Sequence, residues 1–159
     1  MIEEKYNKIA ELAVNLVEGI KRTGLTVISL KDRYGKLLMP LQGNVNHVGM
    51  MYAGSLFTLG EVTGGIIPAV AFNITEFYPI VKEVNIKFVA PAMTDVTIEC
   101  SISEEETKSV QDEADKNGKA DFIMDMEIKD TNNKTVAVVK GTWQIRKIPE
   151  ELKESLNFS

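Results

Sequence analysis

Between Lys36 and Glu76 the chain carries one charged residue, Glu61. It sits in the run Met50-Met51-Tyr52-Ala53-Gly54-Ser55-Leu56-Phe57-Thr58-Leu59-Gly60-Glu61-Val62-Thr63-Gly64-Gly65-Ile66-Ile67, where every helical face is apolar or small. An ionised carboxylate in such surroundings is costly unless it is paired, hydrated or protonated. Carboxylates perturbed in this way concentrate at sites of chemistry, as general acids, general bases or nucleophiles. The competing account is a purely structural carboxylate, held at a subunit interface or by backbone hydrogen bonds.

The elements that must position Glu61 follow from the hydrophobic pattern. Residues 2–22 place Ile2, Tyr6, Ile9, Ala13, Leu16, Val17 and Ile20 at three- and four-residue spacings among charges, which predicts an amphipathic helix ending at Thr23-Gly24. Leu25 to Leu30 and Leu37 to Met39, around Asp32-Arg33-Tyr34-Gly35, predict a hairpin. The apolar helix is expected from about Met51 to Ile67, stopping before Pro68 and buried on all sides. A period of two then takes over: Val84, Ile86 and Phe88; Val96, Ile98, Cys100 and Ile102; and Ala120, Phe122, Met124, Met126 and Ile128; after a turn at Thr131-Asn132-Asn133, Val136 to Ile145 is expected as the last strand. Residues 104–117 form a charged insertion with Val110 and Ala114 four apart and Gly118 as terminator, read as a short solvated helix. The tail over residues 148–159 has Leu152, Leu156 and Phe158 at helical spacing.

A helix buried all round must be enclosed, and an antiparallel sheet curling around it does so while leaving its outer face to water. The fold class expected is therefore α+β, as one domain over residues 1–159. The edges of such a sheet invite pairing with a second copy.

Composition narrows the function. A net charge of −5 without a Lys/Arg stripe argues against nucleic acid. One Cys, Cys100, and one His, His47, leave no intramolecular disulfide and no zinc ligand set. Cys100 is expected inside a strand as a small hydrophobe, and His47 outside the chemistry. The acidic start Met1-Ile2-Glu3-Glu4 lacks the form of a secretory signal, and the longest apolar run is interrupted by Asn44, Asn46, His47 and Glu61, so no membrane partner and a cytoplasmic setting are expected.

Asn46, Gly49, Gly54 and Glu61 carry a recognisable spacing. The stretch Asn46-His47-Val48-Gly49-Met50-Met51-Tyr52-Ala53-Gly54, with Glu61 seven residues on, resembles the signature Asn-x-x-Gly-x-x-His-Gly-Gly of hotdog-fold acyl-CoA thioesterases of the phenylacetate-pathway type. Lys87-Phe88-Val89-Ala90-Pro91-Ala92 is similar to the family's strand ending after the central helix. The resemblance implies a sheet of five or six antiparallel strands wrapped around a long helix, in a homodimer or homotetramer whose site spans the subunit interface. Tyr52 replaces the signature His and Ala53 its first Gly, a departure shared with uncharacterised branches that carry a charged insertion between late strands.

The resemblance also implies roles. Thioester hydrolysis needs an activated water or nucleophile and donors for the developing oxyanion. Ala53 and Gly54, at a helix N-terminus, would offer backbone N–H groups. Glu61 would act as nucleophile or general base, and Asn46 would hold the water or the carbonyl. Gly49, Tyr52 and Phe57 would border the substrate, an acyl-CoA, with no metal or other cofactor. The alternative is a non-catalytic hotdog protein that binds acyl-CoA or a fatty-acyl group.

Overall fold

The computed structural model describes residues 1–153. The part of the tail that carries Leu156 and Phe158 lies outside the described residues. A 3-10 turn at Glu4–Tyr6 leads into α1 (Asn7–Asn15) and α2 (Glu18–Lys21), followed by β1 (Thr26–Lys31), β2 (Tyr34–Met39), α3 (Ala53–Ala71), β3 (Phe77–Phe88), β4 (Val96–Ser101), α4 (Glu104–Asn117), β5 (Lys119–Asp130) and β6 (Thr135–Lys147).

The strands form one antiparallel sheet in the order β1-β2-β4-β5-β6-β3, with α3 against its concave face. This is the expected hotdog arrangement. Alternation decides which side faces in: Ala120, Phe122, Met124, Met126 and Ile128 of β5 are buried, while the residues between them face solvent. The seam between α3 and the sheet is closed by Trp143, which is 1% exposed. Its indole lies so close to the helix that a Cβ at Gly64 would fall 2.0 Å from the ring. Cys100 is buried with Sγ 3.4 Å from Met124 Sδ, the filler role expected of it.

Four sequence expectations need correction. The N-terminal helix is not continuous: Val17 is extended (φ −106°, ψ 116°) and separates α1 from α2. Val17 is β-branched and Gly19 is a poor helix former, so local preference does not oppose the break. α3 does not stop before Pro68 but continues to Ala71. Pro68 sits in the last turn, where its missing N–H removes a single bond to the Gly64 carbonyl, and Phe72 N–H closes onto the Pro68 carbonyl (2.9 Å). β3 starts seven residues before Val84 and contains Pro79. It pairs only with β6, and at a sheet edge a residue without N–H breaks no ladder.

The fourth correction concerns enclosure. α3 is not covered all round: Ala53 and Phe57 are exposed, and Glu61, Gly65 and Ala69, continuing the four-residue spacing, are half-buried. A sequence of small and apolar residues cannot distinguish a face packed in the core from one left for something else to cover. Among the described residues α3 is the single helix long and apolar enough to cross a bilayer, and 61% of its apolar window is buried against the rest of the fold.

Candidate active site

The start of α3 is anchored by Asn44, a residue buried to 5% exposure. Its Nδ2 donates to the carbonyls of Thr23 (2.7 Å) and Pro40 (2.8 Å), and its Oδ1 accepts from Ser55 Oγ (2.8 Å). Its backbone carbonyl accepts from Tyr52 N–H (2.7 Å), while Met51 N–H donates to the Ala92 carbonyl (2.9 Å). The helix therefore begins at a fixed point between the β1–β2 hairpin and the β3–β4 connection. Tyr52 is the N-cap residue and supplies no side-chain cap. Neither Ala53 N–H nor Gly54 N–H has a partner among the described residues, so both stay available at the positive end of the helix dipole.

Asn46 lies in the loop before this point. Its Oδ1 accepts from Val48 N–H (3.0 Å) and Met50 N–H (3.1 Å), and the loop is closed by Asn46 N–H to the Met50 carbonyl (2.7 Å). Gly49 has φ +84° and donates to the Asn46 carbonyl (3.2 Å), a left-handed turn that favours glycine. Asn46 Nδ2 has no partner among the described residues and is the atom left for a ligand. Asn46 and Ala53 together line a cavity of 380 Å³ walled by Met50, Leu56 and the Phe88-to-Ala92 run.

Glu61 lines a different cavity, of 330 Å³, between α1–α2 and α3. Burial raises its carboxyl above the ordinary value of 4.5. No cation or hydrogen-bond donor among the described residues meets it. A half-buried carboxyl with a raised pKa and no partner is suited to taking and giving protons.

The expected site residues thus fall into two groups within one copy. Asn46, Ala53 and Gly54 gather at the helix start, while Glu61 stands eight residues along, about 12 Å of helix away. Phe57, 40% exposed, lies midway on the uncovered stripe. Tyr52, 58% exposed, turns its ring over Gly54, where an added Cβ would come 2.3 Å from Tyr52 Cε1. Tyr52 therefore fills space above the helix start. His47 is exposed in the loop. Sequence reasoning missed the N-terminal residues beside Glu61, Leu12, Ala13, Leu16 and Val17, and also Gly65. The available signal was an apolar side of the first helix wider than one contact needs.

The fold is that of the hotdog proteins. The chain belongs to the family described as a domain of unknown function, DUF4442, whose model matches residues 20–145. A solved structure from Pseudomonas aeruginosa, described as a protein of unknown function and probable thioesterase, is 34% identical over 93% of this chain and 99% of its own, with a TM-score of 0.86. A thioesterase from Haemophilus influenzae is 14% identical, covering 89% of this chain and 90% of its own at a TM-score of 0.70. The PaaI protein of the Escherichia coli phenylacetic acid degradation operon is 17% identical, covering 91% of this chain and 93% of its own at 0.64. The last two likenesses concern the fold. Among curated proteins no sequence matches this chain.

Proposed function

We propose that the protein hydrolyses acyl-CoA thioesters to a free acid and coenzyme A, with Glu61 as the group that activates water or attacks the carbonyl. The observation that carries this reading is the unpartnered, half-buried Glu61 carboxyl at an apolar cavity, on the same helix as two N–H groups without partners. The Ala53 and Gly54 N–H groups hold the carbonyl oxygen and stabilise the charge it gains as a tetrahedral centre forms. Asn46 Nδ2 donates to the carbonyl oxygen or the water. The new C–O bond comes from water, whose proton passes by way of Glu61 to the departing sulfur as the C–S bond breaks. No metal or redox group enters these steps.

One copy keeps Glu61 about 12 Å along the helix from the donors, so the complete site needs two copies, each giving its helix start to the other's Glu61. The uncovered Ala53-Phe57-Glu61 stripe and the open edge of β3 provide the surfaces for that pairing, as a homodimer or a pair of dimers. The lone Cys100 is consistent with a cytoplasmic setting. A binding protein without turnover is the second reading, and the Tyr52 ring over Gly54 favours it, because that ring narrows access to the donors.

The test is thiol release from short, long and aromatic acyl-CoAs by the wild type and Glu61→Gln. A fall in kcat of about 10²- to 10⁴-fold in the variant is expected. Equal turnover by the two proteins would remove Glu61 from the chemistry. No turnover by either, with saturable acyl-CoA binding, would leave the binding protein.

A further inference from the structure

The interior of α3 holds three glycines, Gly60, Gly64 and Gly65, each weakening the helix relative to alanine. Packing accounts for two of them. A Cβ at Gly60 would fall 2.9 Å from Val139 Cγ2, and one at Gly64 2.0 Å from the Trp143 ring. A Cβ at Gly65 would meet nothing within 4 Å, and Gly65 lacks the positive φ that would favour glycine. Its missing side chain keeps space open, and that space is the cavity that Glu61 lines, one helical turn earlier.

The character of this cavity is uniform. Glu61 supplies the one polar side chain around it; the others are aliphatic or small, apart from Phe77 and Pro79. α1 and α2 form its roof, with Leu16 and Val17 exposed at the rim where the helix breaks. Along α3 the lining runs from Glu61 to Ala69, about 12 Å. At about 30 Å³ for a methylene- or water-sized group, 330 Å³ accommodates roughly ten such groups. An uncharged aliphatic chain with one polar end at Glu61 matches both the shape and the lining.

We propose that this cavity takes the aliphatic chain of a medium-length acyl group, of roughly eight to ten carbons, and that Gly65 sets the length that fits. The inference rests on the hydrolase reading for the place of the carbonyl, at the cavity end beside Glu61. The chain then lies under α1–α2, and these short helices act as the specificity wall. A side chain at position 65 occupies the path of the chain, with four carbons in Gly65→Leu and one in Gly65→Ala.

Binding of S-decyl- and S-butyl-coenzyme A, thioethers that cannot be hydrolysed, is measured by calorimetry for the wild type, Gly65→Ala and Gly65→Leu. Circular dichroism confirms that each variant is folded. In the wild type affinity should rise about fourfold per buried methylene up to the cavity limit. Gly65→Leu should weaken the S-decyl compound by about 10²-fold while changing the S-butyl compound less than about threefold. Gly65→Ala, whose added methyl group favours the helix, should give a smaller loss of the same kind. Equal effects on both compounds, or none on either, would overturn the proposal. Thiol release from acyl-CoAs of four to fourteen carbons is measured alongside. Chain-length discrimination without turnover would support the pocket and defeat the hydrolase reading. Turnover that depends on Glu61 with a length preference indifferent to position 65 would defeat the pocket and leave the hydrolase.

Discussion

Gly64 and Gly65 are neighbours on one helix, and substituting each by alanine should move stability in opposite directions. Alanine gains about 1 kcal/mol over glycine in a helix interior. At Gly65 nothing opposes this gain, since no atom lies within 4 Å of the added methyl group. At Gly64 the methyl carbon would stand 2.0 Å from Trp143 Cε2 and Cζ2. Ordinary carbon–carbon contact is about 3.5 Å, so ring or helix must move by about 1.5 Å. The ring has little room to yield, because a Cβ at Gly141 would also fall 2.3 Å from it and the indole is 1% exposed. Overpacking of this severity costs about 3 kcal/mol, leaving a net loss of about 2 kcal/mol for Gly64→Ala. With a urea dependence of about 2 kcal/mol per M, the midpoint should fall by about 1 M for Gly64→Ala and rise by about 0.5 M for Gly65→Ala. Urea titrations followed by circular dichroism at one fixed protein concentration decide the matter, because any pairing of copies makes stability depend on concentration. Midpoints moving in the same direction would refute the assignment of Gly64 to packing and Gly65 to open space.

Three further expectations can be checked by the same method. Burial raises the Glu61 carboxyl above 4.5, so the folded state holds the proton to higher pH than the unfolded chain, and stability falls as pH rises from the ordinary value through the raised one. Glu61→Gln abolishes this slope, so the variant should gain on the wild type as pH rises above the ordinary carboxyl value; parallel curves would contradict the burial account. Asn44→Ala leaves the Thr23 and Pro40 carbonyls and the Ser55 hydroxyl without their partner, and should cost about 2 to 4 kcal/mol, more than Asn46→Ala in its half-buried loop. Ser103 Oγ accepts from Glu106 N–H (3.1 Å) at the start of α4, so Ser103→Ala should cost about 1 kcal/mol, read as a lower urea midpoint.

Much of this molecule is legible in its sequence where one face of an element is buried and the other wet. β4 and β5 announce themselves by strict alternation, and α4 by Val110 and Ala114 four apart and by Gly118, which takes φ +75°. Legibility fails where an element is exposed for a reason outside the single chain. The first half of β3 is hidden by Pro79, which a sheet edge tolerates and a central strand does not. Periodicity cannot show that α1 ends at Asn15, since Leu16 and Val17 fit the apolar stripe whether they pack or line a rim. The spacing from Ala53 to Glu61 suggests one side of a helix, whereas the separation along the axis puts the two in different cavities. Asn44 and Asn46 read alike in sequence, and only their partners separate the structural amide from the available one.

Trp143 has a consequence that is optical. It is the single tryptophan of the chain, and the atoms closest around its ring include the backbone of α3 at Gly64. Its Nε1 has no hydrogen-bond partner among the described residues and the indole is 1% exposed, so the excited ring sits in an apolar setting. Emission from this one fluorophore should therefore be blue-shifted in the folded protein and move to the red when α3 leaves the sheet. Because the helix that touches the indole on one side carries Glu61 and Gly65 on another, a chain entering the cavity has a short mechanical path to the dye. The molecule carries an unlabelled reporter of its own central helix.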